Sequence, residues 1–248
     1  MKYPDDFINK IINNDCLSVM KDIPDKSIDL ILADLPYQVT QNSWDSVIPF
    51  EPLWEQYSRL IKDNGLVILT ASGKFSAQLI MSATVKYQYS MVWCKPNHTN
   101  QLNAKKQPLR KHEDILVFYN KQPIYNPQGL IKKDAITKQG KSETSNYGEQ
   151  NREPYYQEWT NYPTSLIYTT TSTTKQHPTE KPVELFEYLI KTYANEGCLI
   201  LDNTAGSCTT ALAAEKLNRK WICIEKEEKY CKIGEERLKE VRIGDFSL

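Results

Sequence analysis

Asp34, Leu35, Pro36 and Tyr37 set a carboxylate, a proline-fixed backbone and an aromatic ring in four consecutive positions. Such a group can accept polar hydrogens and offer a flat stacking face, although Asp and Pro are also ordinary loop residues. A second constellation lies far along the chain, where LDNTAGSCTT (201–210) is followed by ICIE (222–225). Glu225 stands about 20 residues beyond the small-residue loop, the interval at which an acid bonds ribose hydroxyls in a nucleoside-binding βαβ unit. That loop holds one glycine, Gly206, and no GxGxxG. A ligand with a ribose but no pyrophosphate fits it better than a dinucleotide, and a plain βαβ packing unit is the structural alternative.

These residues need elements to hold them. Ile28–Ala33 is short, apolar and β-compatible, as in a covered strand of a parallel sheet, and it would put Asp34 at the carboxyl end, where ligands bind in open α/β sheets. Apolar residues from Phe50 to Lys62 recur at helical spacing, with Asn64-Gly65 as the expected stop. Further strands are expected at Leu66–Thr70, Tyr87–Cys94 and Asp114–Tyr119, and a helix at Ser76–Ala83. A helix should follow Pro182 to about Ala194. Then come a strand at Cys198–Leu201, a helix at Ser207–Leu217 capped by Ser207 or Thr209, and a strand at Lys220–Ile224. This alternation predicts a Rossmann-like α/β domain, a mostly parallel sheet flanked by helices. Periodicity fails between 120 and 175, which reads as an irregular insert. The expected organisation is therefore 1–119, the insert at 120–175, and 176–248 as the second half of the same domain.

Composition limits the classes of function. The 248 residues are 40% hydrophobic and 25% charged, as in globular proteins, and no run approaches the roughly 20 apolar residues of a membrane span. The start MKYPDDFINK lacks a signal-peptide layout, and six scattered cysteines form no CxxC pair, so free thiols and a cytoplasmic setting are expected. His98, His112 and His177 form no ligand cluster, and no metal is expected. The net charge is +0, yet Lys95–Lys141 carries ten basic residues against three acids, interleaved with Tyr119 and Tyr125. Phosphate contact with base stacking would use such a segment, and a solvated loop is the bland alternative.

In order, NNDCL (13–17), DLPY (34–37), HPTEKP (177–182), LDNTAGSCTT and ICIE resemble the β group of DNA amino-methyltransferases, the N4-cytosine/N6-adenine family. The resemblance covers nearly the whole chain except roughly 120–175, and it implies S-adenosylmethionine as cofactor and double-stranded DNA as partner. By matching positions, Asp34, Leu35, Pro36 and Tyr37 would be catalytic. Asp15, beside Cys16, would contact the cofactor adenine, and Asp202, Asn203, Thr204, Ala205, Gly206 and Ser207 would surround its methionine portion. Glu225 would hold the ribose, while Thr179 and Lys181 would lie near the cofactor carboxylate. The insert would serve target recognition. Lys105, Lys106, Arg110, Lys111, Lys132 and Lys133 are the candidate DNA contacts. Family members are often dimers, and the sequence shows no distinct interface signature.

The chain departs from the family pattern in three places. Leu35 replaces the first proline of the tetrapeptide, Asn203-Thr204 replaces Pro-Phe, and Cys208 replaces the second loop glycine. The last matters most if that position needs a positive φ, which cysteine tolerates poorly. The implied reaction is methylation of an exocyclic adenine amine, with Asp34 and the Leu35 carbonyl accepting its two hydrogens and Tyr37 stacking on the flipped base. Asp at position 34 favours adenine by resemblance. N4-cytosine methylation and a catalytically degenerate DNA-binding relative are the alternatives.

Overall fold

The computed structural model describes residues 1–37, 47–139, 155–170 and 180–244. In chain order these form β1 (Lys10–Asn13), α1 (Cys16–Met20), β2 (Ile28–Asp34), α2 (Phe50–Leu60), β3 (Ile61–Ala71), α3 (Lys74–Ser82) and β4 (Tyr87–Thr99). A 3-10 turn (Gln101–Asn103) leads to β5 (Arg110–Phe118), β6 (Ile131–Gln139), β7 (Tyr155–Thr160) and β8 (Leu166–Tyr168). The chain closes with α4 (Val183–Tyr193), β9 (Leu199–Asp202), α5 (Thr209–Lys216), β10 (Lys220–Glu225) and α6 (Glu228–Gly244).

Eight strands form one sheet in the order β1-β10-β9-β2-β3-β5-β4-β8, parallel from β1 through β3, with β5 antiparallel to both its neighbours. The apolar runs seen in the sequence are buried on both faces, as a covered parallel sheet requires. Ile31, Ala33 and Leu69 pack with Val19, Trp54, Tyr57 and Leu79 of α1–α3. Leu30, Leu32 and Ile68 face the other way, onto Leu189 of α4, Leu212 of α5 and Leu238 of α6. The order in which successive strands are added reverses between the parallel neighbours β2 and β9, so their carboxyl ends open the crevice that doubly wound sheets use for ligands.

Four local expectations need correction. The helix over 50–60 ends at Leu60, because Ile61 turns to extended geometry (φ −67°, ψ 139°) and pairs with Ile28. Asn64-Gly65 is thus no helix stop but part of an irregular β3. There a Cβ on Gly65 would lie 3.0–3.1 Å from backbone atoms of Lys62, Asp29 and Ile28. The second correction is at α5, which has Cys208 at its N-cap and, among the described residues, no side-chain cap. Ser207 Oγ and Thr209 Oγ1 instead accept from the buried Arg237 guanidinium, at 2.9 and 3.4 Å. Third, β4 runs on to Thr99 and β5 begins at Arg110, forming a longer hairpin than the apolar segments alone mark.

Finally, the stretch expected to be irregular contains strands. Asn126–Thr164 forms a separate compact unit built on the antiparallel β6–β7 pair, while β8 belongs to the main sheet beside β4. The three residues of β8 bury only Ile167, too short a pattern for sequence periodicity to reveal. Among the described residues, no helix is long and apolar enough to cross a membrane, and no group of three or more His, Cys, Asp and Glu could hold a metal ion.

Candidate active site

The carboxyl ends of β1, β2, β9 and β10 bring Asp15, Asp34, Asp202 and Glu225 to one sheet edge. They line a cavity of about 270 Å³, together with Cys16, Leu35, Pro36, Tyr37, Lys181, Asn203, Thr204, Ala205, Gly206 and Ser207. The two constellations separated by some 170 residues of sequence thus share one space. Thr179 lies outside the described residues. Lys105, Lys106, Arg110 and Lys111 are exposed around the β4–β5 hairpin and are not part of this lining, while Lys132 and Lys133 stand on β6 in the separate unit.

Among the described residues, Asp34 is held by three donors. Its Oδ1 accepts from Tyr37 Oη at 2.8 Å and from Thr70 Oγ1, and its Oδ2 accepts from Lys181 Nζ at 2.6 Å. Lys181 is buried, and burial works to lower its pKa, but Asp34 and Glu113 outweigh that and leave it raised, so it stays protonated. The Tyr37 hydroxyl is pushed well above its usual range, first by burial and then by Asp34 and Glu113, so it acts as a donor. Its ring lies 4.9 Å from Phe75, inclined by 31°. The Leu35 side chain packs in the core, and the residue also lines the cavity.

The cofactor half is organised around two acids. Glu225 Oε2 accepts from Gly206 N at 2.7 Å and Oε1 from Glu227 N at 2.8 Å. A carboxylate has about four acceptor positions, so roughly two are left for ribose hydroxyls. Burial raises the Glu225 pKa, and the backbone N–H groups oppose that. Asp202 is buried, accepting from Thr204 N at 3.0 Å and from Thr210 Oγ1. Burial pushes its pKa up to about 7, against those hydrogen bonds and helped by the charges of Asp34 and Glu225. Asp15 caps α1 by accepting from Ser18 N at 3.0 Å while lining the cavity.

The departures from the family pattern have defined surroundings. Asn203 accepts from Tyr57 Oη at 2.6 Å and donates to Cys16 Sγ at 3.7 Å, and the Thr204 hydroxyl donates to the Asp34 carbonyl oxygen at 3.2 Å. Cys208 has φ 61° and ψ 38°, the left-handed geometry that favours glycine. Its side chain is fully buried over Gly234 of α6, where an added Cβ would lie 2.4 Å from Cys208 Sγ.

Sequence reasoning missed Thr70, Tyr57 and Glu113. The first two are ordinary core positions of a strand and a helix. Glu113 lies near the start of β5, whose antiparallel direction delivers its first residues to the edge where the parallel strands end. An acid pair at the mouth of an apolar strand, EDILVF, was the available signal.

Residues 28–236 match the DNA methylase family of N6/N4 methyltransferases. The chain belongs to that family. It is 29% identical to the DNA adenine methyltransferase YhdJ of Escherichia coli K12, over 92% of this chain and 82% of that protein. Against type II methyltransferase M.HpaI of Haemophilus parainfluenzae the identity is 25%, covering 92% of this chain and 74% of the relative. The cytosine-N4-specific PvuII DNA methyltransferase has the same fold, with a TM-score of 0.70 at 15% identity, covering 94% of this chain and 90% of that one.

Proposed function

We propose that this DNA methylase transfers a methyl group from S-adenosylmethionine to the exocyclic N6 of an adenine flipped out of double-stranded DNA. The observation that carries the reading is one cavity lined by both Asp34–Tyr37 and Asp202–Ser207 with Glu225. A ribose-binding acid and an amine-binding acid on one space suit transfer between a nucleoside cofactor and a base. The adenine DNA methylase YhdJ, 29% identical, supports the choice of base. DNA as substrate and six free cysteines support a cytoplasmic setting.

S-adenosylmethionine supplies a methyl group already activated by its positive sulfur, so the chain's work is positioning and preorganised charge. Glu225 holds the ribose, Asp15 the adenine end, and the Asp202–Ser207 loop the methionine end. Asp34 and the Leu35 carbonyl each accept a hydrogen bond from the target amine, drawing its nitrogen toward tetrahedral geometry and freeing the lone pair, and the one proton that the methylated nitrogen sheds leaves along the hydrogen bond to Asp34. Pro36 fixes the two acceptors. Thr204, bonded to the Asp34 backbone, ties the cofactor loop to the tetrapeptide. Tyr37 stacks on the extruded base, a contact worth about 1–3 kcal/mol against an unstacking cost of a few kcal/mol.

The test is methyl transfer from labelled S-adenosylmethionine to unmethylated genomic DNA, followed by mass spectrometry of the digested nucleosides. N6-methyladenine is expected. N4-methylcytosine would overturn the base assignment and keep the site chemistry, and a digest without any labelled nucleoside would overturn the reading.

A further inference from the structure

Lys181 stands between two carboxylates. Its Nζ is 2.6 Å from Asp34 Oδ2 and 3.3 Å from Glu113 Oε2, while Lys95 Nζ lies 3.0 Å from Glu113 Oε1. Glu113 Oε2 is buried and has no well-formed hydrogen bond among the described residues, its contact with Lys181 Nζ being a long ion pair at 3.3 Å. A buried, unsatisfied carboxylate oxygen beside an ammonium group is costly to maintain. Three hydrogen bonds already converge on Asp34, and its Oδ2 carries the lysine. In this arrangement the charge needed to polarise a target amine is spent on Lys181.

We propose that Glu113 is a positioning residue that takes over Lys181 when the target base engages Asp34. The inference rests on the methyl-transfer reading and names a regulator of the same carboxylate. Moving Lys181 Nζ about 0.5 Å toward Glu113 Oε2 would bring it to charge-assisted hydrogen-bond length. That shift lengthens the 2.6 Å contact to Asp34 Oδ2 by at most about 0.5 Å, so Oδ2 becomes available to the amine only as the lysine ammonium also turns its hydrogens from Asp34 onto Glu113. Lys181 stays paired throughout, so no buried charge is left alone during the exchange, and Lys95 holds Glu113 in place from its other oxygen. No covalent change at Glu113 is involved. The network has two acids and two bases, Asp34 and Glu113 with Lys95 and Lys181, so the exchange leaves its net charge unchanged.

The test compares wild type with Glu113→Gln and Glu113→Asp in methyl transfer to DNA, with thermal melting as a check on folding. For Glu113→Gln, kcat should fall roughly tenfold to a hundredfold, with the KM for S-adenosylmethionine and for DNA within about twofold of wild type. Glu113→Asp keeps the charge and should recover part of the loss. A purely structural role would instead lower the melting temperature or raise KM, and a folded Glu113→Gln with wild-type kcat overturns the proposal. Should that variant fail to fold, the wild-type structure decides, bound to a non-reactive cofactor analogue and a duplex carrying the site that methylation mapping identifies. Lys181 Nζ hydrogen-bonded to Glu113 is expected, and Lys181 unmoved on Asp34 Oδ2 overturns the proposal. An active wild type with an indifferent Glu113→Gln refutes this proposal alone, whereas a wild type that methylates no DNA removes the methyl-transfer reading and this proposal together.

Discussion

Asp34 is the residue whose surroundings are hardest to explain as packing. It gathers a tyrosine, a threonine and a buried lysine onto one carboxylate at the lip of a cavity. Asp34→Ala should keep S-adenosylmethionine binding within a fewfold by calorimetry while methyl transfer falls by several orders of magnitude. Near-normal turnover would refute its assignment. At Cys208 the issue is backbone geometry, since left-handed φ costs a non-glycine residue about 1–2 kcal/mol. The side chain is accommodated because Gly234 has none. Gly234→Ala would set a methyl 2.4 Å from the Cys208 sulfur and should lower stability by about 1–3 kcal/mol in denaturant melts. Adding Cys208→Gly to that variant relieves both the clash and the φ, so the double variant should recover the stability that the single one forfeits, and additive destabilisation would contradict the pairing.

Among the elements, the turn from β9 into α5 combines a buried acid with a helix whose N-cap is Cys208. Asp202 titrates at about 7 in the folded protein, against about 3.9 for an ordinary Asp in an unfolded chain. Between those values the native state keeps a proton that the unfolded state has released. Stability is therefore greatest toward the acid end of that window and declines as pH rises through it. Glu225, raised in the same direction by burial, adds to the trend. Melting temperature should fall between pH 5 and pH 8, and Asp202→Asn, which cannot ionise, should flatten that slope. An equally steep slope in the variant would place the linkage elsewhere.

For the molecule as a whole, neutrality conceals a division of charge. The exposed Lys105, Lys106, Arg110 and Lys111 cluster about one hairpin of the main sheet, and we propose that they bind DNA phosphates. Replacing all four by alanine should weaken DNA binding and make log K less dependent on log salt, by about 0.9 in slope for each phosphate no longer neutralised. Cofactor binding, which uses the cavity residues, should be unchanged. A salt slope equal to wild type would remove the hairpin from the DNA interface.

Read as a string of residues, the chain already displays the βαβ cofactor half, Asp34 and Glu225 at strand ends, and the alternation that makes a doubly wound sheet. These features rest on local periodicity and on spacings of about 20 residues, which need no folding to be visible. Cys208 also stood out as a conflict, because the cost of a positive φ is a property of the residue type. What faces what emerged only on folding. Glu113 reaches Lys181 because β5 runs antiparallel, and direction within a sheet leaves no trace in one strand's composition. Thr70 became a partner of Asp34 through strand pairing, Tyr57 met Asn203 across 146 positions, and Gly234 was left bare for a sulfur 26 residues earlier. Each of these joins distant segments, and how the two faces of the sheet are covered sets which segments meet.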